Sequence, residues 1–236
     1  MARSFNGSSD YIQRTGLSTL NPPLTISAWF NVASLAAQRQ IVSVGTGVEA
    51  DYALLARTSG VIRARHAEAS GLADSSSSSG TISTGVWNHG AAVFTSTTSR
   101  TVYLNGTAAT TATNSIANAN ATQVNVGTRY SASSRIDYMN GSVGEIGVWN
   151  AALTADEITA LSKGISPLLI RPQSLIDYVP LIGRDSPEIG FRGGSYTLTG
   201  TSNADHPRIL MPNSVVVGVP FSAAPANKSG MFFAMA

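Results

Sequence analysis

Glu49 and Asp51, two carboxylates two positions apart, are the first residues in this sequence whose types and spacing could do chemistry. Alternating side chains on a strand would put both on one face, and retaining glycoside hydrolysis needs two carboxyl groups roughly 5–5.5 Å apart. The pair nevertheless reads better as solvated loop acids. The three histidines, His66, His89 and His206, have no metal-ligand spacing among them, and no serine sits in a nucleophile-elbow motif. No glycine pattern forms a phosphate-binding loop or a dinucleotide fingerprint. An exposed aromatic beside side chains that bond hydroxyls could serve sugar recognition. Tyr130 and Tyr138 flank the loop SASSRID (Ser131 to Asp137), where Arg135 and Asp137 could read hydroxyls beside an aromatic platform. These four residues form a candidate glycan rim, whereas Trp29 and Trp149 lie in strand-like runs and are expected in the core.

The elements that must position such groups are strands. TISAWFNV (Thr25 to Val32), QIVSVG (Gln40 to Gly45), YALLAR (Tyr52 to Arg57) and VIRARHA (Val61 to Ala67) are bounded by turn-forming residues. GAAVF (Gly90 to Phe94), TVYLNG (Thr101 to Gly106), TQVNVG (Thr122 to Gly127) and GSVGEIGVWN (Gly141 to Asn150) continue the series. Several alternate apolar and polar residues, as strands with one wet face do. Asn105-Gly106 predicts a tight hairpin turn. One helix is expected in LTADEITALSKG, with Thr154 and Glu157 as a capping box and Gly164 as its stop. Ser75 to Ser79 reads as an exposed loop tip. The expected fold is all-β, a two-sheet antiparallel sandwich with one short helix.

The segments FNGSSDYI (Phe5 to Ile12), LTISAWFNV (Leu24 to Val32), GVWNHGAAVF (Gly85 to Phe94), VYLNGT and GSVGEIGVWNAALTADEI (Gly141 to Ile158) resemble, in order, those of the laminin-G-like, concanavalin A-like jelly-roll family. LIDYVPLIGRDSPEIGFRGGSYTLTG (Leu175 to Gly200) resembles the family's usual N-terminal stretch, displaced to the C-terminal side. The resemblance implies a jelly roll over residues 1–203 that residues 174–200 complete, followed by an extended arm, 204–236. It also implies a candidate calcium site using Asp10 and Glu145, although Gly144 stands where the family has a second Asp. No cofactor is otherwise required. Family-16 glycanases share this sandwich and carry ExDxxE, but Leu54 replaces the last acid, so no catalytic residues are assigned.

Charged residues make up only 12% of the 236, with 15 basic against 13 acidic side chains, and no basic cluster suited to nucleic acid is evident. Cysteine is absent, which excludes disulfides and thiolate metal sites. No apolar run reaches the roughly 20 residues of a membrane span, and no leader-like stretch is read at the N-terminus, so cytoplasmic synthesis is expected. The arm carries four of the ten prolines and little charge. Val215, Val216, Val217, Phe221, Phe232 and Phe233 should bury against a partner. Such an arm resembles those of tailed-phage structural proteins. The leading expectation is therefore a capsid decoration protein on the virion surface, homo-oligomeric and bound to the major capsid or other virion proteins. The alternative is a carbohydrate-binding adhesion module with glycan partners.

Overall fold

The computed structural model describes residues 2–70, 73–183 and 185–210. In chain order the first strands are β1 (Ala2–Asn6), β2 (Tyr11–Arg14), β3 (Leu24–Val32), β4 (Arg39–Gly45), β5 (Asp51–Ala56) and β6 (Ile62–Ala67). There follow β7 (Ala73–Ser77), β8 (Asn88–Ser96), β9 (Ser99–Leu104), β10 (Thr107–Ala108), β11 (Gln123–Val126), β12 (Arg129–Ser131) and β13 (Ser134–Ile136). After β14 (Asn140–Trp149) comes the helix α1 (Ala155–Ser162), then β15 (Leu175–Val179), β16 (Glu188–Ile189), β17 (Ser195–Thr199) and β18 (Ser202–Ala204).

Two antiparallel sheets stack face to face as a jelly-roll sandwich. The first runs β10-β9-β8-β3-β14-β1-β18, with β15 also on β14, and the second runs β16-β17-β2-β11-β4-β5-β6-β7. Strand alternation decides what lies between them. Ile26, Ala28, Phe30, Ala92 and Phe94 from the first sheet meet Ile12, Val42, Val44, Tyr52, Leu54 and Ile62 from the second. A smaller apolar cluster lies on the outer side of the first sheet, where Ile158 and Leu161 of α1 cover Ala91, Val93 and Trp149. The capping box forms as expected: Thr154 accepts from the Glu157 amide while Glu157 accepts from the Thr154 amide. Asn105 and Gly106 both take positive φ in the β9–β10 turn, as a two-residue hairpin demands.

The C-terminal segment joins both sheets. β15 pairs with the distal half of β14, β17 pairs with β2, and β18 pairs with β1. A bulge between Gly144 and Gly147 divides β14, so that β1 occupies one half of its edge and β15 the other. Two sequence expectations are corrected here. Ser75 to Ser77 are no loop tip but lie in β7, an edge strand on β6, because buried Ser76 bonds the Thr110 carbonyl and the Val102 amide. Trp29 is only partly buried, on the outer side of the first sheet with its ring edge against His89. Trp149 is fully buried as expected.

Candidate functional site

The second sheet turns a polar face outward because its strands alternate. Val124, Val126, Leu54 and Ala64 point into the core, so Asn125, Leu55, Arg63 and Arg65 point away from it. The β12–β13 hairpin lies over the β2 and β11 part of this outer face. Tyr130 and Arg135 sit opposite each other in it. The Arg135 guanidinium lies 3.6 Å from the Tyr11 ring centroid and 4.5 Å from that of Tyr130. It also donates to Asn125 Oδ1 at 3.2 Å and Gln13 Oε1 at 2.8 Å, which pins the hairpin to β11 and β2. Glu49 holds the hairpin tip, accepting from the Ser131 hydroxyl and the Ala132 amide. Burial opposes ionisation of Glu49, yet these two donors and the charges of Arg129 and Arg65 hold its carboxyl below the usual range. Asp137 accepts from Arg129 Nε at 2.8 Å and Gln38 Nε2 at 2.5 Å.

Beyond the hairpin the β5–β7 part of the face stays open, and a cavity of about 200 Å³ forms there. Leu55 is its apolar floor, and Arg57, Arg63, Arg65, Arg129, Gln38 and Ser75 line it. The four arginines differ in what they already hold. Arg65 pairs with Asp51 and reaches Glu49 at 4.0 Å, while Arg129 pairs with Asp137. Burial raises Asp51 to about 6 even though Arg65 pulls it down. Among the described residues the Arg57 side chain donates to the neutral Gln38 side chain and to no acid. Arg63 forms no ion pair among the described residues, and its Nε is buried without a hydrogen-bond partner. Burial and the like charge of Arg57 push its titration down.

Asp10 and Glu145 do not meet. Asp10 Oδ2 accepts from the Asn6 amide at 3.0 Å, and its Oδ1 lies where a Cβ on Gly200 would come within 2.1 Å. Glu145 sits in the β14 bulge, five residues past Asn140, the partner of Asn6; at roughly 3.3 Å per residue that is about 16 Å away. Its buried carboxylate accepts from the Tyr178 hydroxyl at 2.7 Å and lies 3.1 Å from His206 Nε2. Each carboxylate has local partners of its own, and the fold does not bring the two together. Among the described residues no three His, Asp or Glu side chains gather as a metal site.

A family description, the concanavalin A-like lectin/glucanases superfamily, matches residues 6–159. The chain belongs to this superfamily. Similar solved structures extend the likeness beyond the matched segment. A putative carbohydrate-binding protein from Bacteroides ovatus superposes with a TM-score of 0.63 at 19% identity, over 86% of this chain and 59% of that one. The heptameric SAP-like pentraxin of Limulus polyphemus gives 0.59 at 15% identity, covering 83% and 93%. The CBM40 domain of Ruminococcus gnavus IT-sialidase, bound to α2,3-sialyllactose, gives 0.54 at 15% identity, covering 67% and 94%. At these identities the likeness is one of fold. No curated protein matches the chain.

Within this lectin-like domain the expected glycan rim is placed beside the cavity rather than in it. Arg135 is spent on clamping the hairpin, and Asp137 braces two cavity residues, Arg129 and Gln38. The Tyr138 carbonyl accepts from Arg39 at 3.0 Å. Glu49 and Asp51 are engaged groups, not the solvated loop acids expected from sequence. Sequence reasoning, which looked for a basic cluster suited to nucleic acid, missed Gln38, Arg57, Arg63, Arg65 and Arg129 as the lining of one small cavity. Arg63-Ala64-Arg65 in a strand was a usable signal, since alternation sends both side chains to one face. Val215, Val216, Val217, Phe221, Phe232 and Phe233 lie outside the described residues.

Proposed function

We propose that the chain is a carbohydrate-binding module that takes its glycan on the outer face of the second sheet, beside the β12–β13 hairpin. The observation that carries this reading is the convergence of planar polar side chains on one small cavity with an apolar floor, Leu55. Paired donors at fixed angles suit vicinal oxygens, and a small apolar patch suits a ring face. The superfamily and the two carbohydrate-binding neighbours support the same reading. Catalysis is not part of it, because Asp51 is tied to Arg65 and Glu49 to the hairpin tip. A location on a virion surface is a second proposal, and it rests on the apolar, proline-containing C-terminal sequence.

The test is a glycan panel probed with the full chain, alongside Ser75→Trp, which would fill the cavity from an edge strand. Saturable binding that free sugar competes away, and that Ser75→Trp weakens at least about tenfold with unchanged thermal stability, supports the reading. Absence of binding across neutral and acidic glycans would sink it. Binding that Ser75→Trp leaves intact would move the site elsewhere.

A further inference from the structure

We infer that the cavity between β5, β6 and the hairpin selects an anionic group, so that the glycan it takes is acidic, bearing a carboxylate or an ester sulfate. This deepens the carbohydrate-binding reading and rests on it. Four guanidinium groups line one cavity of about 200 Å³, and among the described residues acids pair with only two of them, Arg65 with Asp51 and, at 4.0 Å, Glu49, and Arg129 with Asp137. Arg57 and Arg63 face it without an acidic partner among the described residues, on neighbouring positions: Arg63 pairs with Leu55 on β5, and Arg57 follows the end of that strand. Like charges confined together are unfavourable and are relieved by an anion between them. Among the described residues the Nε of Arg63 has no hydrogen-bond partner, so an oxygen that reaches it satisfies a donor left open by the fold.

The cavity size points to the same chemistry. Sites that engulf a whole small molecule run to roughly 300–1,000 Å³, so this one seats a single substituent while the rest of the ligand lies along the open face. Its donors are built for that. Arginine forks bind carboxylate and sulfate oxygens in pairs, and the Ser75 side chain lines the same cavity for a neighbouring hydroxyl. The acids nearby do not cancel this preference. Glu49 faces the hairpin tip, Asp51 faces Arg65, and Asp137 faces Arg129 and Gln38, so all three are screened by partners of their own.

The experiment is calorimetric titration of the full chain with 3′-sialyllactose, a glucuronate-containing disaccharide, a sulfated galactose, lactose and inorganic sulfate. Arg57→Gln and Arg63→Gln are titrated in parallel. Acidic sugars should bind at least about tenfold tighter than lactose, and either substitution should erase the difference. Raising the salt should weaken the acidic sugars alone. Sialyllactose against the sulfated sugar then tells carboxylate from sulfate. Equal binding of lactose and acidic sugars, unchanged in both variants, would overturn the anionic selection and leave the carbohydrate reading standing. Binding of inorganic sulfate with no sugar bound would overturn the carbohydrate reading instead.

Discussion

At Arg135, stacking and hydrogen bonding act on one planar group. Its guanidinium lies over the Tyr11 ring and against Tyr130, while its nitrogens reach Asn125 and Gln13. Lysine cannot reproduce this, since an ammonium has neither the plane to stack nor the fork to reach two acceptors. Arg135→Lys is therefore expected to cost about 1–2 kcal/mol, from the lost ring contacts and one charged hydrogen bond. Denaturant unfolding measures that loss. Tyr130→Phe keeps the ring and should stay near neutral. A lysine variant as stable as the parent would show that the hairpin is held at its Glu49 tip and not by the clamp.

Among the elements, those that alternate were legible and those that follow from pairing were not. β3 and β6 announce themselves through apolar residues at every second position, β4 and β14 through β-branched runs that bulges interrupt, and α1 through its capping box. β7 is written in serines, which carry no apolar signal; only its pairing with β6 makes it a strand. The cavity was legible only in part: Arg63-Ala64-Arg65 marks one strand face, but Arg57 and Arg129 join it through sheet register and the folding-over of a hairpin. The docking of residues 205–210 was hidden. His206 there faces Glu145, the Pro180 carbonyl and its neighbour's carbonyl at Pro207. Burial opposes its protonation, but the hydrogen bond and charge of Glu145 prevail and raise its titration point. A histidine raised in the folded state stabilises fully below its unfolded value of about 6.5, and that stabilisation fades as pH rises through the folded value. Amide protection in residues 206–210, corrected for intrinsic exchange, should thus fall as pH rises above neutrality. His206→Gln should remove that dependence; if protection in the parent is flat, the Glu145 contact does not hold the segment.

For the whole molecule, each of the two apolar layers encloses one neutral histidine. His66 lies in the main core against Tyr52 and Phe94, with burial and then Arg100 depressing it to about 4. His89 lies on the other side of the first sheet, 2.8 Å from Ser27 Oγ, and burial alone depresses it to about 3. Unfolded, each takes up a proton near pH 6.5, so both favour unfolding as the medium is acidified from there toward the folded values. Asp51, raised to about 6 by burial, works in the opposite sense: the folded state holds its proton while the unfolded chain has lost it. The bulk acid response mixes these terms, and a single substitution separates them. His89→Asn cannot be protonated, so its deficit relative to the parent should shrink by about 1.4 kcal/mol for each pH unit below 6. Urea unfolding of both proteins at pH 7, 6, 5 and 4.5 gives that difference directly. A deficit constant across the series would mean that His89 titrates alike in the folded and unfolded states, and that the outer apolar layer admits water to it.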